Sequence, residues 1–240
     1  MTENHGGCFG PAKGITWFFN QVDFGIIFDD DIDPRIEFFE YVERARLLFE
    51  NDPRIAVISG NNFSNPSFNF WNEKIGITQY FFGWGWATWS DKWKSFKVDW
   101  AAVKNLMVDN DWLLEIMHGD QMLVDKQKNI YEQWKNGAAW DFLWQFHLWK
   151  NGWKTLIPPV NLTGNVGIGD DATNCKIEFP FIAAWKKEWY HPLPQSCYSS
   201  ATSNPLGDRF MGYVVSYGIP SDKLQIIKND DNQVIFAVAN

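Results

Sequence analysis

The 240-residue sequence predicts an α/β domain with a mainly parallel sheet. Three observations predict it. Two short apolar runs, at 24–28 and 54–60, have the length and the bounding residues of buried strands. A stretch of helical period, 34–50, lies between them and completes the βαβ order of a parallel pair. The first run also ends abruptly in Asp29-Asp30-Asp31-Ile32-Asp33-Pro34. A carboxylate cluster at a strand's exit faces the crevice where open α/β sheets bind ligands.

In chain order, residues 1–10 read as a glycine-containing loop, and 11–19 as a short amphipathic helix with Ile15, Phe18 and Phe19 on one side. The strand at 24–28 follows. Asp33 and Pro34 suit the cap and first position of the next helix, whose apolar face is Phe38, Phe39, Val42, Leu47, Leu48 and Phe49, and Asn51-Asp52-Pro53 ends it. The strand at 54–60 leads into a long Asn- and Pro-rich loop over 61–78, and 79–82 reads as a short strand. Gly83-Trp84-Gly85-Trp86-Ala87-Thr88-Trp89 is a glycine-spaced turn whose tryptophans either pack into the core or line a ligand that the glycines let approach. Helices follow at 100–118, 121–135 and 140–149, then a strand at 154–158 and a Gly-rich loop at 161–171. Beyond about Cys197, a helix at 208–217 and two strands flanking Asn229-Asp230-Asp231-Asn232 form a candidate helix and hairpin.

Bulk properties narrow the function classes. A formal net charge of −8 argues against nucleic-acid and anionic-membrane surfaces, both of which need basic patches. No apolar run is long enough to span a bilayer and no signal-peptide pattern opens the chain, so a cytoplasmic setting without a transmembrane segment is expected. Three cysteines, Cys8, Cys175 and Cys197, suit neither a disulfide framework nor a zinc site. Fifteen tryptophans permit carbohydrate stacking without establishing it. No Gly-rich phosphate fingerprint is present. Asp29 and Asp31, as oxygen-only ligands, suit a hard cation, Mn²⁺ or Mg²⁺, that could neutralise a substrate diphosphate, although Asp-rich turns also arise simply as caps.

The run 25–31 (GIIFDDD), the element 58–63 (ISGNNF), the segment 84–89 (WGWATW), Trp140-Asp141 and the stretch 161–173 (NLTGNVGIGDDAT) resemble, in that order, family-two glycosyltransferases of the GT-A fold. The bacterial group often labelled hemolytic-protein-like, or nucleotide-diphospho-sugar transferase, is the nearest in pattern, and the resemblance covers about residues 3–176. It implies a GT-A-like three-layer α/β sandwich over 1–196, with 197–240 as a C-terminal extension. The family's first strand-helix-strand, which holds the nucleotide base and ribose, has no counterpart in the match, so the resemblance implies an N-terminally truncated domain.

The function implied is metal-dependent transfer of a sugar, with inversion, from a nucleotide-diphosphate donor to a carbohydrate or other hydroxyl acceptor. Asp29 and Asp31 match the acidic metal motif, with Asp29 where the family usually shows Glu. Asn174 stands where the family usually has a metal-ligating His. Asp30 would face the donor sugar or ribose, and Asp141 matches the general base. Trp84, Gly85, Trp86, Trp140 and Lys13 complete the expected donor and substrate side, Lys13 also being an ordinary surface lysine. The alternative is a non-catalytic truncated transferase acting as a carbohydrate-binding or interaction module. An open sheet edge is a pairing hazard, so homodimerisation through it is a further expectation.

Overall fold

The computed structural model describes residues 6–63, 70–97, 99–135, 140–167, 193–218, 223–228 and 234–238. The first helix, α1 (Gly6–Phe19), begins five residues ahead of Pro11 and carries that proline inside it, so part of the expected opening loop is helical. It turns into β1 (Phe24–Ile27), which delivers the aspartate cluster. The next residues form a strand, β2 (Ile32–Pro34), where a helix cap was expected. Asp33 and Pro34 pair with Gly164 and Thr163 in β7 (Thr163–Asn165), and α2 (Ile36–Phe49) starts only afterwards, from Arg35. Pairing with a distant segment has overridden the local capping signal.

β3 (Ile55–Ser59) follows α2 as expected, and β4 (Ile75–Thr78) emerges inside the expected long loop. The strand anticipated at 79–82 lies instead at β5 (Trp86–Trp89), within the WGWATW segment. The helical region comprises α3 (Ser90–Lys94), α4 (Trp100–Met107), α5 (Asn110–Ile116), α6 (Gln121–Trp134) and α7 (Trp140–Lys150). One long expected helix is split in two because Asp109 caps a new start, its Oδ1 accepting from Trp112 N at 3.0 Å. β6 (Lys154–Ile157), β8 (Ala201–Ser203), α8 (Pro205–Tyr217) and the antiparallel hairpin β9 (Leu224–Lys228) with β10 (Val234–Val238) complete the described elements.

Six strands form one sheet in the order β1-β5-β3-β6-β4-β8. Only β3·β6 and β4·β8 are parallel, whereas β1·β5, β3·β5 and β4·β6 are antiparallel. The fold is therefore α/β with a mixed sheet, a correction to the mainly parallel expectation. The reason is local: β5 inserts between β1 and β3, so the two strands of the βαβ unit run parallel without being neighbours. β1 forms one margin of the sheet, and its only strand partner among the described residues is β5.

Helices cover both faces. Phe38, Tyr41, Val42 and Ala45 of α2 pack with Ile55, Ile58, Ala87 and Leu156 on one side. On the other, Ala12, Ile15 and Phe19 of α1 meet Ala56, Val57, Trp86, Trp93, Trp140, Trp144 and Leu148. A third cluster joins α4 to α8. The residues beyond 197 are fastened to this body: β8 extends the sheet beside β4, and Asp120 at the start of α6 accepts from Arg209 Nη2 at 2.8 Å and Tyr213 Oη at 3.1 Å on α8. No helix among the described residues is long and apolar enough to cross a membrane.

Candidate functional site

β1 positions the acidic turn by being held tightly on both faces. A Cβ at Gly25 would collide with the Phe18 ring, and Phe24 packs edge-on against Trp89 at 5.2 Å. Past the strand, Phe28 seats on Phe38 at 5.4 Å, and Ile32 N closes the turn on Asp29 O at 3.2 Å. The β2·β7 pairing then brings the 163–167 segment against the aspartates, with Val166 N donating to Asp31 O at 2.8 Å.

Gly167 lies directly over Asp31: a Cβ there would strike Asp31 Oδ2 and sit 2.7 Å from Asp31 Cβ. Its own N–H is fixed by Asn165 Oδ1 at 2.7 Å. Asp31 Oδ1 is buried and has no hydrogen-bond partner among the described residues. A buried acceptor without a donor is costly unless a cation or other group supplies the missing charge. For this reason Gly167→Ala is expected to push the Asp31 carboxylate aside and weaken Mn²⁺ binding by about 10–100-fold, the scale of supporting-shell changes. Mn²⁺ titration followed by paramagnetic resonance, with a circular-dichroism check of the fold, measures it.

Asp141 arrives from the other side, in the first turn of α7, with its Oδ1 accepting from Phe142 N at 2.9 Å. It keeps contact with solvent, yet the surrounding protein raises its carboxyl above the usual carboxylate range, burial outweighing the backbone hydrogen bonds from Phe142 and from its own N–H. The Asp29 carboxyl is also raised, by burial first and then by the charges of Asp31, Asp141 and Asp30. The four carboxylates named from the sequence therefore share one electrostatic neighbourhood, although α7 and the acidic turn are far apart along the chain.

Like charges held together have a sign that pH reveals. In the fold, Asp29 and Asp141 keep their protons above the ordinary value of 3.8, so the folded state is favoured by acid and loses that advantage as pH rises from 3.8 through the raised values. Above that window all the carboxylates are charged and repel. Asp29→Asn is thus expected to raise the melting temperature of the metal-free protein by roughly 1–3 °C at pH 7. The gain should vanish at pH 4, and thermal melts at the two pH values check both halves.

Three other segments are tied to one another beside Phe28, next to the acidic turn. Thr163 Oγ1 donates to Trp84 O at 2.6 Å and accepts from Asn61 Nδ2 at 2.9 Å, while Gly60 N donates to Gly85 O at 2.8 Å. Gly85 has φ +77°, and a Cβ there would meet Thr163 and Phe28. Its glycine is required by close protein packing as much as by any ligand. Trp84 is partly buried, with its ring against Phe63 at 5.6 Å. Asn61 Oδ1 is a second buried acceptor without a partner among the described residues.

The remaining expected residues fall elsewhere. Trp86 and Trp140 are buried, 1% and 9% exposed, and stack on each other at 5.9 Å and 25°. Trp93, Trp144 and Phe81 surround Trp86, so these two rings belong to the core, a correction to the ligand-lining expectation. Lys13 is exposed on α1 and makes no ion pair among the described residues. Asn174 lies outside the described residues. Among the described residues, no three His, Cys, Asp or Glu side chains converge as a metal site. Asn61, Thr163, Asn165 and Gly167 were not singled out by sequence reasoning as site residues. The polar positions of 161–165, shortly after β6, are the signal that could have found Thr163 and Asn165.

No protein-family model matches the chain, and a search of curated proteins returns no match. The functional reading therefore rests on the residues and their geometry.

Proposed function

We propose that the acidic turn after β1, together with Asp141 at the start of α7, forms the active site of a metal-dependent, inverting glycosyltransferase of the GT-A fold. Its donor would be a nucleotide-diphosphate sugar and its acceptor a carbohydrate or other hydroxyl. What supports this reading is that the charge of Asp141 contributes to holding the Asp29 carboxyl up, so the candidate base and the candidate metal motif are electrostatically coupled.

The acidic turn suits a hard cation. Asp31 offers a buried oxygen without a partner among the described residues, and the repulsion around Asp29 would be relieved by positive charge. Asp29 and Asp31 would hold Mn²⁺ or Mg²⁺, with Asn174 as the further ligand that the resemblance implies. When bound, the ion would supply charge neutralisation for the departing diphosphate. Asp30, beside these ligands, would face the donor sugar or ribose, with Trp84 and Gly85 behind it.

Asp141 takes the acceptor's proton. Its carboxylate receives the hydroxyl proton as that oxygen bonds to the anomeric carbon and the bond from that carbon to the diphosphate oxygen breaks, which inverts the centre. A raised carboxyl is a stronger base once ionised, and its solvent contact leaves an approach for the hydroxyl. The test is a panel of nucleotide-sugars incubated with the protein, Mn²⁺ and mixed hydroxyl acceptors, with products read by mass spectrometry. The expected result is release of nucleoside diphosphate from one donor class, coupled to a new glycoside and lost on chelation. Release from no donor would overturn the reading and leave the non-catalytic carbohydrate-binding module.

A further inference from the structure

We infer that the groove between α4 and α6 binds a saccharide carrying an anionic group. The groove has a volume of about 560 Å³, within the range of small-ligand sites, and is lined by Trp100, Lys104, Met107, Lys128, Tyr131 and Lys135 together with Glu132. Three lysines face it against one acid, in a chain whose net charge is −8. Glu132 is already engaged by Lys135. Lys128 Nζ donates to the neutral Asn110 Oδ1 at 2.8 Å, and Lys104 makes no ion pair among the described residues. Two ammonium groups therefore stand at the groove without a countercharge from those residues, which favours an anionic occupant.

The wall between the lysines is aromatic. Trp100 stacks on Phe142 at 6.0 Å and 22°, and lies 6.3 Å from Tyr131. A partly buried tryptophan above an apolar floor of Met107 suits the flat face of a sugar ring, with the lysines at its rim taking the acid group. Phe142 links the groove to the proposed site, since it follows Asp141 in α7 and donates its N–H to that carboxylate. A chain bound across Trp100 would thus be one ring removed from α7, the helix that carries the candidate base. The anionic character rests on the lysines, whereas the assignment as a saccharide and acceptor rests on the transferase reading.

Direct binding tests this without turnover. A tetramer of galacturonic acid, a neutral maltotetraose and inorganic phosphate are titrated into the wild-type chain by calorimetry, in the absence of metal and donor. The acidic tetramer should bind at least tenfold more tightly than either of the others. The variant Lys104→Glu, at an exposed position, should weaken it tenfold or more, as should Lys104→Ala combined with Lys128→Ala. Equal affinity for the neutral tetramer, equal affinity for phosphate, or no loss in variants that melt like the wild type would overturn the inference. Because neither donor nor metal is present, such a failure leaves the transferase reading standing. Conversely, a chain that binds the acidic tetramer yet releases no nucleoside diphosphate from any donor loses only that reading.

Discussion

Asp141→Asn is expected to slow sugar transfer by roughly 10²–10⁴-fold, the range associated with loss of a general base. The asparagine keeps the size of the side chain and an oxygen that can still accept from Phe142 N, so the start of α7 should hold its geometry. What is lost is the basic, charged carboxylate that on the proposed reading receives the acceptor's proton. Donor affinity should stay within a few-fold, or improve slightly, because removing a charge near Asp29 relieves repulsion there. Single-turnover kinetics with a separate measurement of donor binding resolves the two effects. Loss of donor binding with an unchanged chemical step would contradict the assignment of Asp141. In the wild type the acid limb of the pH profile should lie above the ordinary carboxylate range, since burial holds the Asp141 proton on to higher pH.

Trp86→Ala should act on stability. The side chain is 1% exposed and contacts Phe81 at 4.9 Å, Trp140 at 5.9 Å, Trp93 at 6.0 Å and Trp144 at 6.3 Å. Truncation would leave a cavity between β5 and the helical layer, and large-to-small changes of this type cost about 3–5 kcal/mol. For a chain of this length that corresponds to a fall in melting temperature of roughly 6–20 °C. A tryptophan that faced a ligand would instead lose binding while the fold stayed firm. Chemical denaturation of the variant separates the two, and an unchanged midpoint would contradict its placement in the core.

The same tryptophan marks where the sequence stops being legible. Alternation, glycine spacing and aromatic content identify the 84–89 segment as unusual, yet they do not say which side of the chain a ring takes. Burial is decided by α1 and α7 arriving from elsewhere. The apolar runs with local boundaries behave differently. β1, α2, β3, α7 and β6 are readable because each has its own hydrophobic pattern and its own stop signal, such as Asn51-Asp52-Pro53 or Asn151-Gly152. β2, β4 and β7 are three or four residues long and owe their strand state to partners far along the chain, so propensity alone reads them as turn or loop.

The candidate site divides along the same line. Asp29, Asp30, Asp31 and Asp141 are visible as chemistry, because a carboxylate run at a strand exit and an acid at a helix start are local patterns. Their proximity is a product of the fold. Nor does the sequence reveal that Gly167 presses on Asp31, or that Thr163 ties Asn61 to Trp84. The Gly167 contact bears on the orientation of Asp31, and all of these residues are of types with no special chemistry of their own.

The central claim, that the acidic turn is a cation site serving a diphosphate leaving group, is tested most directly by Mn²⁺ titration under paramagnetic resonance, with and without a nucleoside diphosphate. The wild-type chain should bind Mn²⁺ and bind it more tightly when the diphosphate is present. Asp31→Asn should weaken that binding tenfold or more while the melting curve stays cooperative. Mn²⁺ binding that is absent in the wild type, or that is unchanged by both Asp31→Asn and the diphosphate, would contradict the account.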